Sequence, residues 1–178
     1  MKSTIIGFNI GGSKHWVVER DFDGHIYQKR VFLNSKDQTF DTTCANMVQI
    51  AYELIQSSLT ADRKPSWISV SNGGPLDIDT DIIKSPPNLP GWINILLKDN
   101  LKESLRLPIF IQHYGNAGAL AEHRFGAGRG TKNLIFLTLG TGLESGLILN
   151  GRDYIALLDW KTLPTSVSQE SGRRKQLL

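Results

Sequence analysis

Ile6-Gly7-Phe8-Asn9-Ile10-Gly11-Gly12-Ser13-Lys14 decides how this chain folds at its start. Ser3 to Ile10 is rich in branched and aromatic residues and reads as a strand, stopped by the glycine pair. A second apolar run, His15 to Val18, leads into Asp21-Phe22-Asp23-Gly24. An Asp-Gly pair between extended runs is a hairpin signal. Ile26 to Phe32 then returns as a third strand, so the opening predicts an antiparallel meander whose first turn is glycine-rich.

Beyond the meander, Phe40, Cys44, Met47, Val48, Ala51, Leu54 and Ile55 recur mostly at steps of three and four, which predicts a helix over Thr39 to Leu59. Trp67 to Val70 reads as a short buried strand before Ser71-Asn72-Gly73-Gly74-Pro75. Residues Asp77 to Trp92 look loop-like, because paired prolines favour an extended path. Leu96 to Leu105 reads as a short helix, Pro108 to Gln112 as a strand and Asn116 to Phe125 as an alanine-rich helix. Leu134 to Leu139 and Gly146 to Leu149 read as strands around Gly140-Thr141-Gly142-Leu143-Glu144-Ser145, and Asn150-Gly151 opens another tight turn. Ile155 to Trp160 is a weaker strand candidate, and Thr162 to Leu178 is polar with little to bury. Strands, helix and strand in this order predict a mixed sheet with helices packed on it. No internal repeat is visible.

The 178 residues are 40% hydrophobic and 21% charged, as in an ordinary globular chain. No apolar run is long enough for a transmembrane helix, and the start lacks the pattern of a signal peptide. The single cysteine, Cys44, rules out an intrachain disulfide and a cysteine zinc cluster, and a reducing cytoplasm is the expected setting. The net charge of +3 is weak evidence for a nucleic-acid partner, and Arg173-Arg174-Lys175 reads as a solvated cluster.

Two glycine turns follow strands, Gly11-Gly12-Ser13-Lys14 and Gly140-Thr141-Gly142. Small residues there let backbone N–H groups approach an anion, usually phosphate. A plain structural hairpin explains either turn alone. Lys14 fits a phosphate contact and an exposed strand lysine equally well. His113 falls just past a buried strand, where a pocket rim is expected, whereas His15, His25 and His123 read as surface or packed residues.

Read together, these segments resemble the ROK family (repressor, open reading frame, kinase). Residues 6–14 resemble its first phosphate loop. Ser71-Asn72-Gly73-Gly74-Pro75-Leu76-Asp77 and Ser85-Pro86-Pro87-Asn88-Leu89-Pro90-Gly91-Trp92 resemble its sugar-side loop. Asn116 to Glu122 with Phe125-Gly126-Ala127-Gly128 resembles the helix after its catalytic loop, and Leu137 to Gly142 its second phosphate loop. The match runs in family order from about Thr4 to Tyr154. It implies an α/β, ribonuclease-H-like (actin-like ATPase) mixed-sheet lobe with helices, plus the first strands of an incomplete second lobe. The expected division is 1–118 for the first lobe, 119–158 for the start of the second and 159–178 for a flexible tail. In the family, kinases transfer the ATP γ-phosphoryl group to a hexose or amino sugar with ATP and magnesium, and repressors use a similar body to sense sugar. Carried over, the resemblance implies sugar contacts at Gly73, Gly74, Asn88 and His113. Phosphate contacts fall on Gly11, Gly12, Ser13, Lys14, Gly140, Thr141 and Gly142.

Departures from the pattern alter the expectation. Where the family's catalytic aspartate is expected, this chain has Tyr114, and His113 replaces the preceding asparagine. A carboxylate accepts a hydroxyl proton at neutral pH, whereas phenols ordinarily keep theirs. Asn9 replaces an acidic residue that helps place magnesium, offering only a neutral oxygen. Glu144 and Ser145 replace glycine positions, so Glu144 either repels phosphate or points to solvent. The glutamate and histidine sugar segment and the adenosine pocket of the family are not recognisable after Tyr154. The expectation is therefore a sugar-kinase-like chain that is a catalytically inactive, truncated form with no intact catalytic residue, no metal site and no cofactor retained. The alternative is a non-catalytic sugar-binding or partner-binding module. Self-association or a partner chain is expected, with no DNA-binding region and no membrane contact.

Overall fold

The computed structural model describes residues 1–34, 39–139 and 142–154. The expectations for Ile155 to Trp160, for the tail and for Gly140 and Thr141 lie outside the described residues. Strands β1 (Lys2–Ile10), β2 (Lys14–Arg20) and β3 (Ile26–Leu33) form the expected meander. Helix α1 (Phe40–Thr60) follows, and its N-cap Thr39 accepts from the Thr42 amide through its hydroxyl. Strand β4 (Arg63–Asn72) then pairs parallel to β1.

Strand β4 is longer than the predicted Trp67 to Val70 stretch, and Trp67 is 40% exposed rather than buried. The polar opening Arg63-Lys64-Pro65 hides the extra residues. Pro65 cannot donate to a ladder, and the β1–β4 register shifts between Thr4 and Ile5 at that point. Within the stretch expected as loop, β5 (Leu76–Asp77) and β6 (Ile82–Ile83) pair as a two-residue ribbon. Helix α2 (Leu97–Leu105), strand β7 (Ile109–His113) and helix α3 (Tyr114–Phe125) follow. Strands β8 (Leu134–Leu139), β9 (Leu143–Leu149) and β10 (Arg152–Tyr154) make a second meander.

The first sheet has the order β3-β2-β1-β4-β7 and the second β10-β9-β8. One face of the first sheet buries Ile6, Phe8, Ile10, Val17, Ile68 and Val70 against Met47, Ala51 and Leu54 of α1. Each such side chain contributes ~1.5–3 kcal/mol on burial, and this is the principal core. His15 is buried there too, its ring 4.9 Å from Phe32, and burial pushes the imidazole pKa down. Helix α3 packs on the second sheet: a Cβ on Gly118 would lie 2.4 Å from the Phe136 ring. Among the described residues, no helix is long and apolar enough to cross a membrane.

Asp21 closes the β2–β3 turn. Its carboxylate accepts from the Asp23 and His25 amides at 3.0 and 2.9 Å, from Tyr27 at 3.0 Å and from Lys2 at 2.7 Å. The Lys2 ammonium holds this carboxyl well below the usual carboxylate range. A pKa lowered in the folded state stabilises above the unfolded value, about 4, and that contribution is lost as pH falls toward the folded value. The urea midpoint of the wild type should therefore drop more steeply below about pH 4 than that of Asp21→Asn. Parallel acid limbs for the two proteins would contradict the assigned network.

Candidate functional site

Three parallel strands, β1, β4 and β7, end side by side. Ile10 lies opposite Asn72, and Asn72 opposite His113. The carboxyl ends of parallel strands in such sheets are where ligands bind, because the loops diverge there and leave backbone groups free. The register thus brings Gly11-Gly12, Asn72-Gly73-Gly74 and His113-Tyr114 to one edge of the fold.

The loops at this edge touch one another closely. A Cβ on Gly12 would lie 2.4 Å from the Asn88 Cβ, so glycine is required there by contact between the first glycine turn and the sugar-side loop. Gly74 adopts φ +106°, and a Cβ there would lie 2.8 Å from the Pro86 Cβ. The Gly73 amide donates to the Ile10 carbonyl at 3.1 Å, tying the β4 end to the β1 end. Gly73, Gly74 and Asn88 are therefore assembled in one place, next to the turn containing Gly11 and Gly12. Ser13 and Lys14 are exposed, and the Lys14 ammonium lies 5.2 Å from the Trp16 ring centroid.

His113 is the N-cap of α3, its Nδ1 accepting from the Gly115 amide at 3.4 Å. Tyr114 is the first residue of that helix. Glu144 is turned inward rather than to solvent: its Oε2 lies 4.0 Å from His113 Nε2 and is buried with no hydrogen-bond partner among the described residues. A Cβ on Gly73 would lie 3.5 Å from Glu144 Oε1. The carboxylate thus reaches from the second sheet to the strand ends of the first. Asn72 is fully buried, and among the described residues neither polar atom of its amide has a partner. Buried amides normally find partners, and an orphan at a strand-end site points to a ligand or water. Asn9 Oδ1 is buried and unpartnered as well.

These residues fit ATP with magnesium poorly. The only oxygen that Asn9 offers is neutral, which weakens attraction for a divalent cation, and the Glu144 carboxylate puts a negative charge beside Gly73 and His113, which disfavours a polyanion close to that point. Among the described residues there is no group of three or more His, Cys, Asp or Glu arranged to hold a metal ion. Two concavities are lined mainly by other residues: one, about 260 Å³, by Thr80, Asp81, Leu96 and Lys98, and one, about 220 Å³, by Gly7, Asn9, Trp16 and Arg20. Neither includes Gly73, Gly74, Asn88 or His113, which form the shelf where the ends of β1, β4 and β7 meet. The sequence patterns found its glycines, missed Asn72 as a site residue and left the direction of Glu144 open. An asparagine at the very end of β4, directly before Gly73-Gly74, is the signal for it.

A parallel-centred sheet with an antiparallel meander on one side and ligand loops at its strand ends is the half-lobe of an actin-like ATPase fold. Solved structures agree. The ROK hexokinase of Thermus thermophilus superposes with a TM-score of 0.72 at 28% identity, over 85% of this chain and 48% of that one. The ROK glucokinase of Streptomyces griseus, in complex with glucose and AMPPNP, gives 0.71 at 26%, over 85% and 46%. Among sequences, the glucokinase of Thermotoga maritima is 29% identical over 150 residues, 84% of this chain and 46% of the relative. The xylose repressor of Bacillus subtilis is 34% identical over 87 residues, 49% of this chain and 22% of the relative. The ROK family model matches residues 5–156. The chain belongs to the ROK family, and it spans about half the length, or less, of the relatives it matches.

Proposed function

We propose that this chain is a sugar-kinase-like ROK lobe that binds a hexose or amino sugar and does not itself transfer a phosphoryl group. The observation that carries the reading is the shelf where Gly73, Gly74 and Asn88 are packed together beside His113, with Tyr114 at the base position. Backbone N–H groups and amide side chains at such a shelf exchange hydrogen bonds with hydroxyls, which suits a polyol. Asn72, buried without partners, is a further donor and acceptor for it. Tyr114 offers no ready acceptor for the proton of an attacking hydroxyl.

Gly11, Gly12, Ser13, Lys14 and Gly142, with Gly140 and Thr141, remain the positions we assign to phosphate. Glu144 lies beside Gly73 and His113, and its charge disfavours an anion close to that point. We place the lobe division near residue 118, with α3 carrying the chain from the first sheet to the second. Cys44 is free and buried, which supports a reducing, cytoplasmic setting.

Titration calorimetry with glucose, fructose, mannose and glucosamine tests the reading. At least one sugar should bind with a dissociation constant of about 1 mM or tighter, and Asn88→Ala should weaken it about tenfold, ~1.4 kcal/mol. Failure of every sugar to bind would remove the proposal.

A further inference from the structure

Glu144 reaches the strand ends of the first sheet because α3 and β9 cross backbone on backbone. Gly115 in α3 and Gly146 in β9 leave no room for a Cβ at that crossing, against Ser145 and Gly115 respectively. The crossing carries the neighbouring Glu144 to the end of β7, beside His113 and Gly73. A carboxylate so placed ordinarily has a cation or a full set of donors. Here Oε2 is buried with no hydrogen-bond partner, and no lysine or arginine comes within 4.0 Å of the carboxylate, among the described residues. The N-terminus of α3 favours a negative charge nearby, yet none of its amides donates to Oε2. His113 does not supply the missing charge. Its Nδ1 accepts from the Gly115 amide and so carries no hydrogen, which leaves a neutral ring with its N–H at Nε2. That donor stands 4.0 Å from Oε2, beyond hydrogen-bond range. The side chains of His113 and Glu144 are 27% and 23% exposed, so an outside group can reach both.

We propose that Glu144 makes the shelf selective for a sugar that carries a free ammonium group with a hydroxyl beside it. The inference rests on the sugar-binding reading above and narrows it. An ammonium offers donors only, which suits the carboxylate, whereas His113 Nε2–H needs an acceptor, which a hydroxyl oxygen provides and an ammonium does not. The gap between Oε2 and Nε2 therefore calls for a cationic donor and an acceptor on neighbouring positions, the arrangement of a vicinal amino alcohol. Asn72, the residue before Gly73 and opposite His113, adds an amide unpartnered among the described residues for a further hydroxyl. A neutral hexose gives the carboxylate a hydrogen bond but no opposite charge, and an N-acylated sugar brings only a neutral amide. The attraction between the ammonium and a partly buried carboxylate is less screened than in water, so the cationic sugar gains most. The preference is local: the whole chain carries +3 and attracts no cation at long range.

The test is titration calorimetry on the full chain with glucosamine, glucose and N-acetylglucosamine at about pH 7, where an amine with the ~8 pKa of an α-amino group is mostly protonated. Glucosamine should bind at least about tenfold tighter than either of the others. Glu144→Gln should bring glucosamine to within about threefold of glucose. Glu103→Gln, which removes an exposed carboxylate from α2, should keep the preference. Because glutamine removes a buried charge that lacks a partner, Glu144→Gln should also leave the urea midpoint of the free chain unchanged or higher. Equal affinities for glucosamine and glucose, a preference that survives Glu144→Gln, or a lower midpoint in that variant would each overturn the proposal. Those outcomes leave sugar binding standing, whereas binding of none of the three sugars removes the sugar-binding reading and this inference with it.

Discussion

Arg63→Ala should lower the unfolding free energy by about 3–5 kcal/mol, the range for removing one partner of a buried ion pair. Glu19 is fully buried on β2, and Arg63 at the start of β4 donates to its two oxygens from Nε and Nη2, both at 2.9 Å. Thr4 and Gln28 each add a donor at 3.0 Å. Burial pushes the Glu19 pKa up, but these donors, Arg63 foremost, outweigh it and hold the carboxyl below its ordinary value. Without Arg63 the charge stays buried with only neutral partners. Urea denaturation of the wild type and of Arg63→Ala measures the loss. The paired variant Glu19→Leu with Arg63→Met should recover most of it, because two apolar groups leave nothing unpaired. A cost for Arg63→Ala below about 1 kcal/mol, the value of an exposed pair, would mean that the carboxylate is solvated.

Gly115→Ala should be the second large effect, against the trend of helix propensity. Alanine in place of a helical glycine normally stabilises by ~0.5–1 kcal/mol. Here the added Cβ would lie 2.1 Å from the Ser145 carbonyl oxygen, and a Cβ on Gly146 would lie 2.1 Å from the Gly115 oxygen. Backbone meets backbone at this crossing, so neither side yields by a rotamer change. Overpacking of this kind costs ~1–3 kcal/mol. Gly115→Ala should therefore lower the thermal midpoint, and Gly146→Ala should do the same. A raised midpoint would show that α3 does not sit on β9 at this distance. Because Glu144 is next to Ser145, the same variants should disturb the approach of its carboxylate to His113.

Much of the architecture was legible because it is local. The strand-forming run of Ser3 to Ile10 with its glycine stop, the Asp23-Gly24 turn and the periodic helix after Thr39 each depend on neighbours within a few residues. The observed elements begin or end within one or two residues of the expected ones there. What the sequence hid are contacts between residues far apart. Glu19 and Arg63 are 44 positions apart, so nothing in either local pattern marks them as partners. Gly115 and Gly146 look like ordinary glycines until α3 and β9 cross. The Leu143–Ser145 start of β9 resembled a turn because Glu144-Ser145-Gly146 carries turn-prone residues, yet it pairs with Leu137 to Leu139. The candidate site was legible as motifs, while the inward direction of Glu144 and the orphaned amide of Asn72 are properties of packing. The exposure of Ile135, Leu137 and Leu139 on β8 was foreseeable in kind, since the apolar residues of that strand needed cover. Which half of them α3 covers was not.

The most direct test of the central claim is a coupled ADP-release assay on the purified full chain, with ATP and magnesium, over hexoses and amino sugars. The account predicts no turnover above background for the wild type, and none for His113→Asn combined with Tyr114→Asp. A restored base supplies typically ~10²–10⁴-fold in rate, but it leaves the Glu144 charge beside Gly73 and Asn9 in place of a carboxylate. Turnover near ~10 s⁻¹, typical of working enzymes, that copurifies with the wild-type chain would contradict it.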